Sequence, residues 1–398
     1  VGQTFSKNLT GANCQLGGQA IISLSVSEDV EADYATASAT CLAPSGPHSK
    51  GAVVTSVEGG VSTGQWEVDD PVRLRSGDRT WRRRAGEGHY RHLPLVHYKL
   101  RRRGYNRCRS TLSASNIGQD HFPPKFCTLG RFAEITNELL AKRLAGEIHS
   151  AELERIRRSW HPVYNAGDII STMCSWVGQP VAFWCSLSGP CAPEYQPIGK
   201  PLIAACKEVA AWSGASLYLD RTGTLIVYDF AHQYGRAGGG VPMPRAVLAE
   251  ELHDGLYGTN VVTVVGWGYT GPYVYPSSLF ATRERKTAAV EWSEGLSRAQ
   301  GERAVEERIE IREYPITPTL AQKIARERLT RIALSAGAGS WRGPAEGSES
   351  YSPLTHRVFA VDRTLEWDGS KYKYEIELTG PRSSLSWGGS VSSEGWWW

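Results

Sequence analysis

Ser213-Gly-Ala-Ser-Leu-Tyr-Leu-Asp-Arg-Thr-Gly-Thr-Leu-Ile-Val227 carries the sharpest local signal in the chain. Ser216–Leu219 and Thr224–Asp229 are rich in apolar, strand-forming residues, and Asp220-Arg-Thr-Gly223 joins them. A Gly-containing loop between two such runs predicts a β-hairpin. Immediately upstream, Lys200-Pro-Leu-Ile-Ala-Ala-Cys-Lys-Glu-Val-Ala-Ala-Trp-Ser-Gly214 predicts a helix. Pro201 suits its first turn and Gly214 its C-terminal cap.

Downstream, a Gly/Pro-rich link from Gly235 to Pro244 leads to Asn260-Val-Val-Thr-Val-Val-Gly266, which reads as a strand. Trp292 to Arg312 is heavily charged and is expected to be a solvated helix or a long excursion. Thr317-Pro318 opens a helix, with Leu320, Ala321, Ile324, Ala325 and Ile332 as its packing face. The last hairpin runs from His356–Asp362 to Lys371–Leu378 and turns at Asp368-Gly369. Tyr372, Tyr374, Ile376 and Leu378 share one face of its second strand; Lys371, Lys373, Glu375 and Glu377 share the other.

Toward the N-terminus, Ala20–Ser27 alternates from Ile22 onward, with Leu24 and Val26 on one face. Trp66 to Asp78 reads as a strand and turn, with Val72 and Leu74 alternating with Arg73 and Arg75. Phe132–Leu144 predicts a helix through Phe132, Ile135, Leu139 and Leu140, and its charged continuation to Arg158 has Ile148 and Ile156 as apolar points. Met173–Cys191 is rich in Trp and Cys, and its Val181-Ala-Phe-Trp-Cys185 reads as strand or buried loop. Beyond Gly380 the chain is rich in Ser, Gly and Trp and finishes at Trp396-Trp-Trp398, a tail expected to order only against a partner.

At 398 residues, with 41% hydrophobic and 21% charged residues, the chain is long enough for two to four domains with real cores. The composition excludes a wholly disordered, collagen-like or coiled-coil chain. No apolar run approaches the roughly 20 residues of a spanning helix. The first residues show neither the basic nor the apolar part of a signal peptide, and a start at Val1 points to processing or trimming.

The net charge of +3 hides a segregation. Between Arg73 and Arg109 there are 13 Lys/Arg and two acids, a local +11 against −8 for the rest. Arg82-Arg83-Arg84 and Arg101-Arg102-Arg103 are interleaved with Trp81, Tyr90, Tyr98 and Tyr105. Basic residues mixed with aromatics can bind nucleic acid through phosphates and stacked bases. A basic loop against solvent or an acidic neighbouring subunit is the preferred reading, because no RNP, KH or zinc-finger pattern accompanies the run. Regular structure is not evident there.

The eight cysteines include no C-x-x-C. Cys174, Cys185, Cys191 and Cys206 form the tightest group, at separations of 11, 6 and 15 residues that match no metal-site spacing. They read as mostly free, buried thiols, with a Cys185–Cys191 disulfide or a metal as the lesser options. No G-x-S-x-G, H-E-x-x-H or Walker A sequence occurs. His89, His92 and His97 fall in the basic region, and His149 lies among Glu147, Glu152 and Glu154 on an exposed helix face. Glu250-Glu251, as neighbours leading into a strand, point to opposite faces and make no acid pair. The expectation is therefore no enzyme, no catalytic residue, no cofactor and no metal.

One resemblance organises these pieces. A helix precedes the hairpin at 213–227. Leu256-Tyr-Gly-Thr-Asn-Val-Val-Thr-Val-Val-Gly266 follows, then Ile316-Thr-Pro-Thr-Leu-Ala-Gln-Lys-Ile-Ala-Arg-Glu-Arg-Leu329, then a closing strand pair. This order, with its D-x-x-G turn and N-x-V-x-V-x-G strand, resembles the baseplate or tail hub proteins of bacteriophages and contractile injection systems, the late-control D family. It covers roughly residues 195–380 and, more faintly, the strand from Glu67 to Asp78. The basic region, the Cys/Trp segment at 173–206 and the aromatic tail depart from it.

The resemblance implies an α+β, β-rich chain with two small antiparallel β-barrel-like hub domains and helical connections. Residues 1–110 would be an N-terminal β domain with the Arg-rich segment, and 111–214 a helical, Cys/Trp-rich connection. The hub barrel region would span 215–380 with a helix at 317–333, and 381–398 would be the tail. It further implies a structural role in the virion: a homotrimeric ring in the tail or baseplate that adapts the tail tube to the central spike or tip. Its partners would be a tail tube or distal tail protein, the spike or tip protein, the tape measure protein and, transiently in the lumen, the genome. A nucleic-acid-binding protein using residues 73–109 and a tail-associated cell-wall hydrolase are the alternatives.

Overall fold

The computed structural model describes residues 13–32, 34–73, 94–113, 123–187, 194–234, 249–252, 259–269, 286–295, 305–336, 338–344 and 352–381. Six strands come first: β1 (Gln15–Leu16), β2 (Gln19–Asp29), β3 (Thr36–Leu42), β4 (Val53–Glu58), β5 (Val61–Arg73) and β6 (Leu95–Arg102). They pair in the order β1-β4-β5-β6-β3-β2, and β1 pairs with β2 as well as β4, which closes an antiparallel barrel. Closure leaves no open edge in this part of the sheet. Large and small side chains alternate around its interior. Ala39 lies between Leu24 and Tyr98 in register, and Ala37 between Val26 and Leu100. All six are buried with Trp66 and Val68 in one core.

Strand β6 corrects the expectation that the basic region lacks regular structure. Leu95–Arg102 buries Val96, Tyr98, Leu100 and Arg102 on one face, a period of two that the run of three arginines conceals. Arg82-Arg83-Arg84, His89 and His92 lie outside the described residues.

The connecting region contains α1 (Tyr105–Arg109), β7 (Lys125–Thr128), α2 (Leu129–Leu144), α3 (Ser150–Arg158), β8 (Trp160–Val163), α4 (Ala166–Trp176), β9 (Val181–Phe183), β10 (Glu194–Tyr195) and α5 (Leu202–Ala211). The predicted helix at 132–144 begins earlier, at Leu129, because the Thr128 side chain accepts from Arg131 N at 3.3 Å and caps it. Its charged continuation is a separate helix, α3. Helix α4 was not expected from the Trp/Cys-rich reading. It starts on a capping box in which Asn165 Oδ1 accepts from Asp168 N and Asp168 accepts from Asn165 N. Ile169, Ile170, Met173 and Cys174 are its buried face.

The hairpin is present as β11 (Ser216–Leu219) and β12 (Leu225–Tyr228), followed by α6 (Phe230–Tyr234). β9 joins it in parallel, giving a three-stranded sheet in the order β11-β12-β9.

The remainder is β13 (Ala249–Leu252), β14 (Val261–Tyr269), β15 (Lys286–Gly295), β16 (Glu306–Glu310), α7 (Pro318–Ala336), β17 (Ala338–Pro344), α8 (Pro353–His356), β18 (Ala360–Trp367) and β19 (Tyr372–Pro381). The described parts of the charged stretch from Trp292 to Arg312, 292–295 and 305–312, are thus not helical. They hold the end of β15 and all of β16, which pair with β14 from either side. Helix α7 packs on this sheet, with Leu320, Ala321, Ala325 and Leu329 in one core with Val262, Val264, Ile311 and Ile316.

The last hairpin is β18–β19, with Asp368 N donating to Lys371 O across its turn. β18 pairs with β2, placing Arg363 opposite Val26 and Leu365 opposite Leu24. β19, β17 and β13 continue outward, so the first and last strands share one ten-stranded sheet. The Gly/Pro link at 235–244 and the Trp-rich tail lie outside the described residues. No described helix is long and apolar enough to cross a membrane.

Candidate functional site: a buried charge cluster where the hairpin meets the barrel

Three strands each place one charged residue in phase with their buried apolar positions. Glu28 follows Leu24 and Val26 on β2, Arg102 follows Tyr98 and Leu100 on β6, and Arg363 lies between Val361 and Leu365 on β18. An ionised group at such a position must be paired and hydrogen-bonded. These meet one another. Arg102 Nη2 donates to Glu28 Oε1 at 2.7 Å, with neither side chain exposed. Tyr218 of β11 donates its hydroxyl to Glu28 Oε2 at 3.0 Å. Arg221, in the Asp220–Gly223 turn, and Arg363 approach Glu28 Oε1 at 3.6 and 3.7 Å.

Arg363 Nη1 also lies 3.3 Å from Glu58 Oε1 on β4, which accepts from Thr63 Oγ1 at 2.6 Å. Burial alone pushes the Glu28 carboxyl up; Arg102, Arg221, Arg363 and the Tyr218 hydroxyl outweigh it and hold it down at about 2. Burial pulls the Arg221 guanidinium below its ordinary value against the attraction of Glu28, and Arg363 and Arg102 add to the lowering.

The remaining contacts fix the guanidinium of Arg102. Its central carbon lies 4.1 Å from the Trp66 ring centroid, a cation–π arrangement. The Trp66 indole in turn donates to Ser56 Oγ at 3.0 Å. Position 64 must be glycine for this: a Cβ there would stand 2.6 Å from Arg102 Nη1.

The hairpin turn docks on the barrel through its backbone. Gln65 N donates to Arg221 O at 2.9 Å, and Gln179 Nε2 donates to Gly223 O at 2.7 Å. Asp220 Oδ1 accepts from the backbone of Thr222 and Thr224, and Gly223 takes φ +84°. A Cβ at 223 would lie 2.7 Å from Arg103 O. The D-x-x-G sequence therefore serves two ends, the turn itself and its close approach to the strand end of β6.

A closed six-stranded barrel, a helix-preceded hairpin seated on it and a returning C-terminal strand pair make up this arrangement. No protein-family model and no curated protein matches the chain. Among solved structures it is similar to the 43 kDa tail protein of prophage MuSo2 from Shewanella oneidensis. That match has a TM-score of 0.53 at 12% identity and covers 94% of this chain and 98% of the other. A tail protein from Neisseria meningitidis MC58 matches over the same shares, with a TM-score of 0.51 at 10% identity.

The chain has the fold of these tail proteins. The hub-type resemblance drawn from the hairpin, the 256–266 strand and the 316–329 helix is borne out at the level of fold, as is the strand-rich α+β class.

Within this tail-protein fold the other sequence candidates are dispersed. Arg101-Arg102-Arg103 is not a solvated block. Arg102 is interior, Arg103 bonds the Gln65 side chain, and Arg101 donates to Asp69 at 2.9 Å and to the hydroxyls of Tyr34 and Tyr105 at 3.0 and 2.5 Å. Arg109 Nη1 reaches the same Tyr105 oxygen at 2.5 Å. Burial opposes ionisation of Tyr105, but the Tyr34 hydrogen bond and the two guanidiniums lower its phenol overall.

Cys174 and Cys206 are buried together in the core that also holds Cys108, and a contact with the Cys174 thiol plus burial pushes the Cys206 thiol well up. Cys185 is half-buried, its thiol pushed up to about 11 mainly by burial, and its suggested pairing with Cys191 lies outside the described residues. Among the described residues no three His, Cys, Asp or Glu side chains are placed to hold a metal. His97 sits on β6 with Nδ1 3.3 Å from Thr40 Oγ1, and burial and Lys99 lower its pKa. His149 is exposed just before α3. Glu250 and Glu251 are in β13. Reading the inward phase of β2, β6 and β18 would have found Glu28, Arg102 and Arg363; nothing in the sequence links them to Arg221.

Proposed function

We propose that the chain is a structural subunit of a phage-like tail, a hub that forms a homotrimeric ring and adapts the tail tube to the central spike or tip. The observation that carries this reading is the similarity of fold to tail proteins over nearly the full length of both chains. The role is mechanical, located in the virion tail or baseplate, with no catalytic step assigned. A tail tube or distal tail protein, the spike or tip protein and the tape measure protein are its partners, and the genome passes through the lumen. A closed barrel stapled to the rest of the chain by buried charges suits a subunit that transmits load, because such an interior resists shear between segments. The burial of Arg102 and the ion pair of Arg101 with Asp69 remove two cations from the set a nucleic-acid-binding reading needs.

Particle imaging and mass measurement of the purified protein, alone and with tail-tube protein, test the proposal. A three-fold ring that caps tube ends is expected. A stable monomer at micromolar concentration with no affinity for tube or spike protein would overturn it.

A further inference from the structure

The cluster between barrel and hairpin sets three guanidiniums, Arg102, Arg221 and Arg363, against two carboxylates, Glu28 and Glu58. Among the described residues this buried group carries one positive charge more than it neutralises. Six of its guanidinium nitrogens are shielded from solvent without a hydrogen-bond partner: Nε and Nη1 of Arg102, Nε and Nη2 of Arg221, and Nε and Nη2 of Arg363.

Those of Arg102 are accounted for, because its guanidinium lies on the Trp66 ring and against Gly64. The other four belong to Arg221 and Arg363. Both approach Glu28 Oε1 at distances of ion pairing and not of hydrogen bonding, 3.6 and 3.7 Å. Buried donors are nearly always met, and an uncompensated buried charge costs several kcal/mol. A water molecule would offer an acceptor but no charge.

We propose that the Arg221–Arg363 side of this cluster binds one small monovalent inorganic anion of the halide class. A single negative charge matches the surplus, whereas a divalent oxyanion would reverse it. The route in passes Arg221, whose side chain is 15% exposed at the hairpin turn, while that of Arg363 is 9% exposed. The ion acts as a third acceptor and joins β18 to the turn where the two guanidiniums would otherwise repel.

Two measurements on the full chain test it. Crystals soaked in bromide are expected to show one anomalous peak within hydrogen-bond reach of both Arg221 and Arg363. Thermal unfolding at constant ionic strength is expected to give a saturable upward Tm shift of a few degrees when gluconate is replaced by chloride. Arg221→Gln, whose position is on the turn and not within a strand, is expected to lose the chloride shift. A bromide peak without saturable stabilisation means an adventitious ion only and overturns the proposal. Ordered water, or a carboxylate from elsewhere in the chain, at that position in the wild-type crystal also overturns it, whether or not the variant folds.

Discussion

Arg102 Nη2 donates to Glu28 Oε1 at 2.7 Å with both side chains wholly buried, and the pair joins β6 to β2 inside a closed barrel. Removing one member of such a pair strands the other. Arg102→Met and Glu28→Gln are each expected to cost about 3–5 kcal/mol in urea unfolding. Glu28→Gln is the worse of the two, because it leaves three guanidiniums facing Glu58 alone. The double variant should lose clearly less than the two single losses added together. Strict additivity would mean that the two side chains do not interact.

Glu28 also sets an acid limit. Its carboxyl is held at about 2 in the folded chain, below its ordinary 4.5. A depressed carboxyl contributes stability above the unfolded pKa, and that stability is lost as pH falls from about 4.5 through 2. Acid titration of unfolding free energy should show this loss in the wild type. In a Glu28→Gln chain that still folds, the part of the slope between those values should vanish.

Glu327 on α7 works in the opposite direction. Its Oε1 accepts from Ser216 Oγ at 3.0 Å and lies 3.4 Å from Arg331 Nη2, while Lys323 pairs with Asp229 at 3.3 Å. Burial pushes its carboxyl up to about 7, against the pull of Arg331, the Ser216 hydrogen bond and Lys323; Asp229 adds to the rise. A raised carboxyl gives stability that is fully present below about 4.5 and is lost as pH rises through 7. The loss is on the order of 3 kcal/mol for a rise from 4.5 to about 7. Glu327→Gln should therefore be more stable than wild type at pH 8 and equal to it near pH 4. Two pH profiles that stay parallel from pH 4 to pH 8 would refute this.

Gly223 and Gly369 separate backbone strain from contact. Both have positive φ, +84° and +103°, but a Cβ at 369 meets nothing within 4 Å whereas one at 223 meets Arg103 O at 2.7 Å. Gly369→Ala should cost about 1–2 kcal/mol, the left-handed penalty alone. Gly223→Ala should cost visibly more and loosen the turn from the barrel. Amide exchange at Gln65, whose N–H donates to Arg221 O, reports the loosening directly.

The α4 capping box gives a local test. Asn165→Ala removes the acceptor for Asp168 N, 3.0 Å away, and should cost about 0.5–2 kcal/mol in unfolding free energy. A far-UV signal unchanged alongside a lower urea midpoint is the expected pattern.

Local order was largely written in local residues. The Asp220–Gly223 hairpin, the 200–214 helix, the Pro318 helix start and the Asp368-Gly369 turn were readable because each depends on neighbours within a few positions. Helix α4 was equally local, through Asn165 and Asp168, and overlaps the Trp/Cys-rich stretch from Met173 only at its far end. β16 was misread because a charged strand with only Ile309 as an apolar point shows no hydrophobic alternation. Arg101-Arg102-Arg103 was misread as a block, although alternation sends Arg102 inward and Arg101 to the other face.

The sequence by itself determined which segments form hairpins and helices, and the strand-rich class they compose. Tertiary structure alone decided that β18 returns to β2 and that β1 closes the barrel. It also decided that Arg221 and Arg363, 142 positions apart, share the carboxylate of Glu28. The reason is physical: turns and caps are satisfied by groups a few residues away, but a buried charge must be neutralised by whatever the fold brings within a few ångströms.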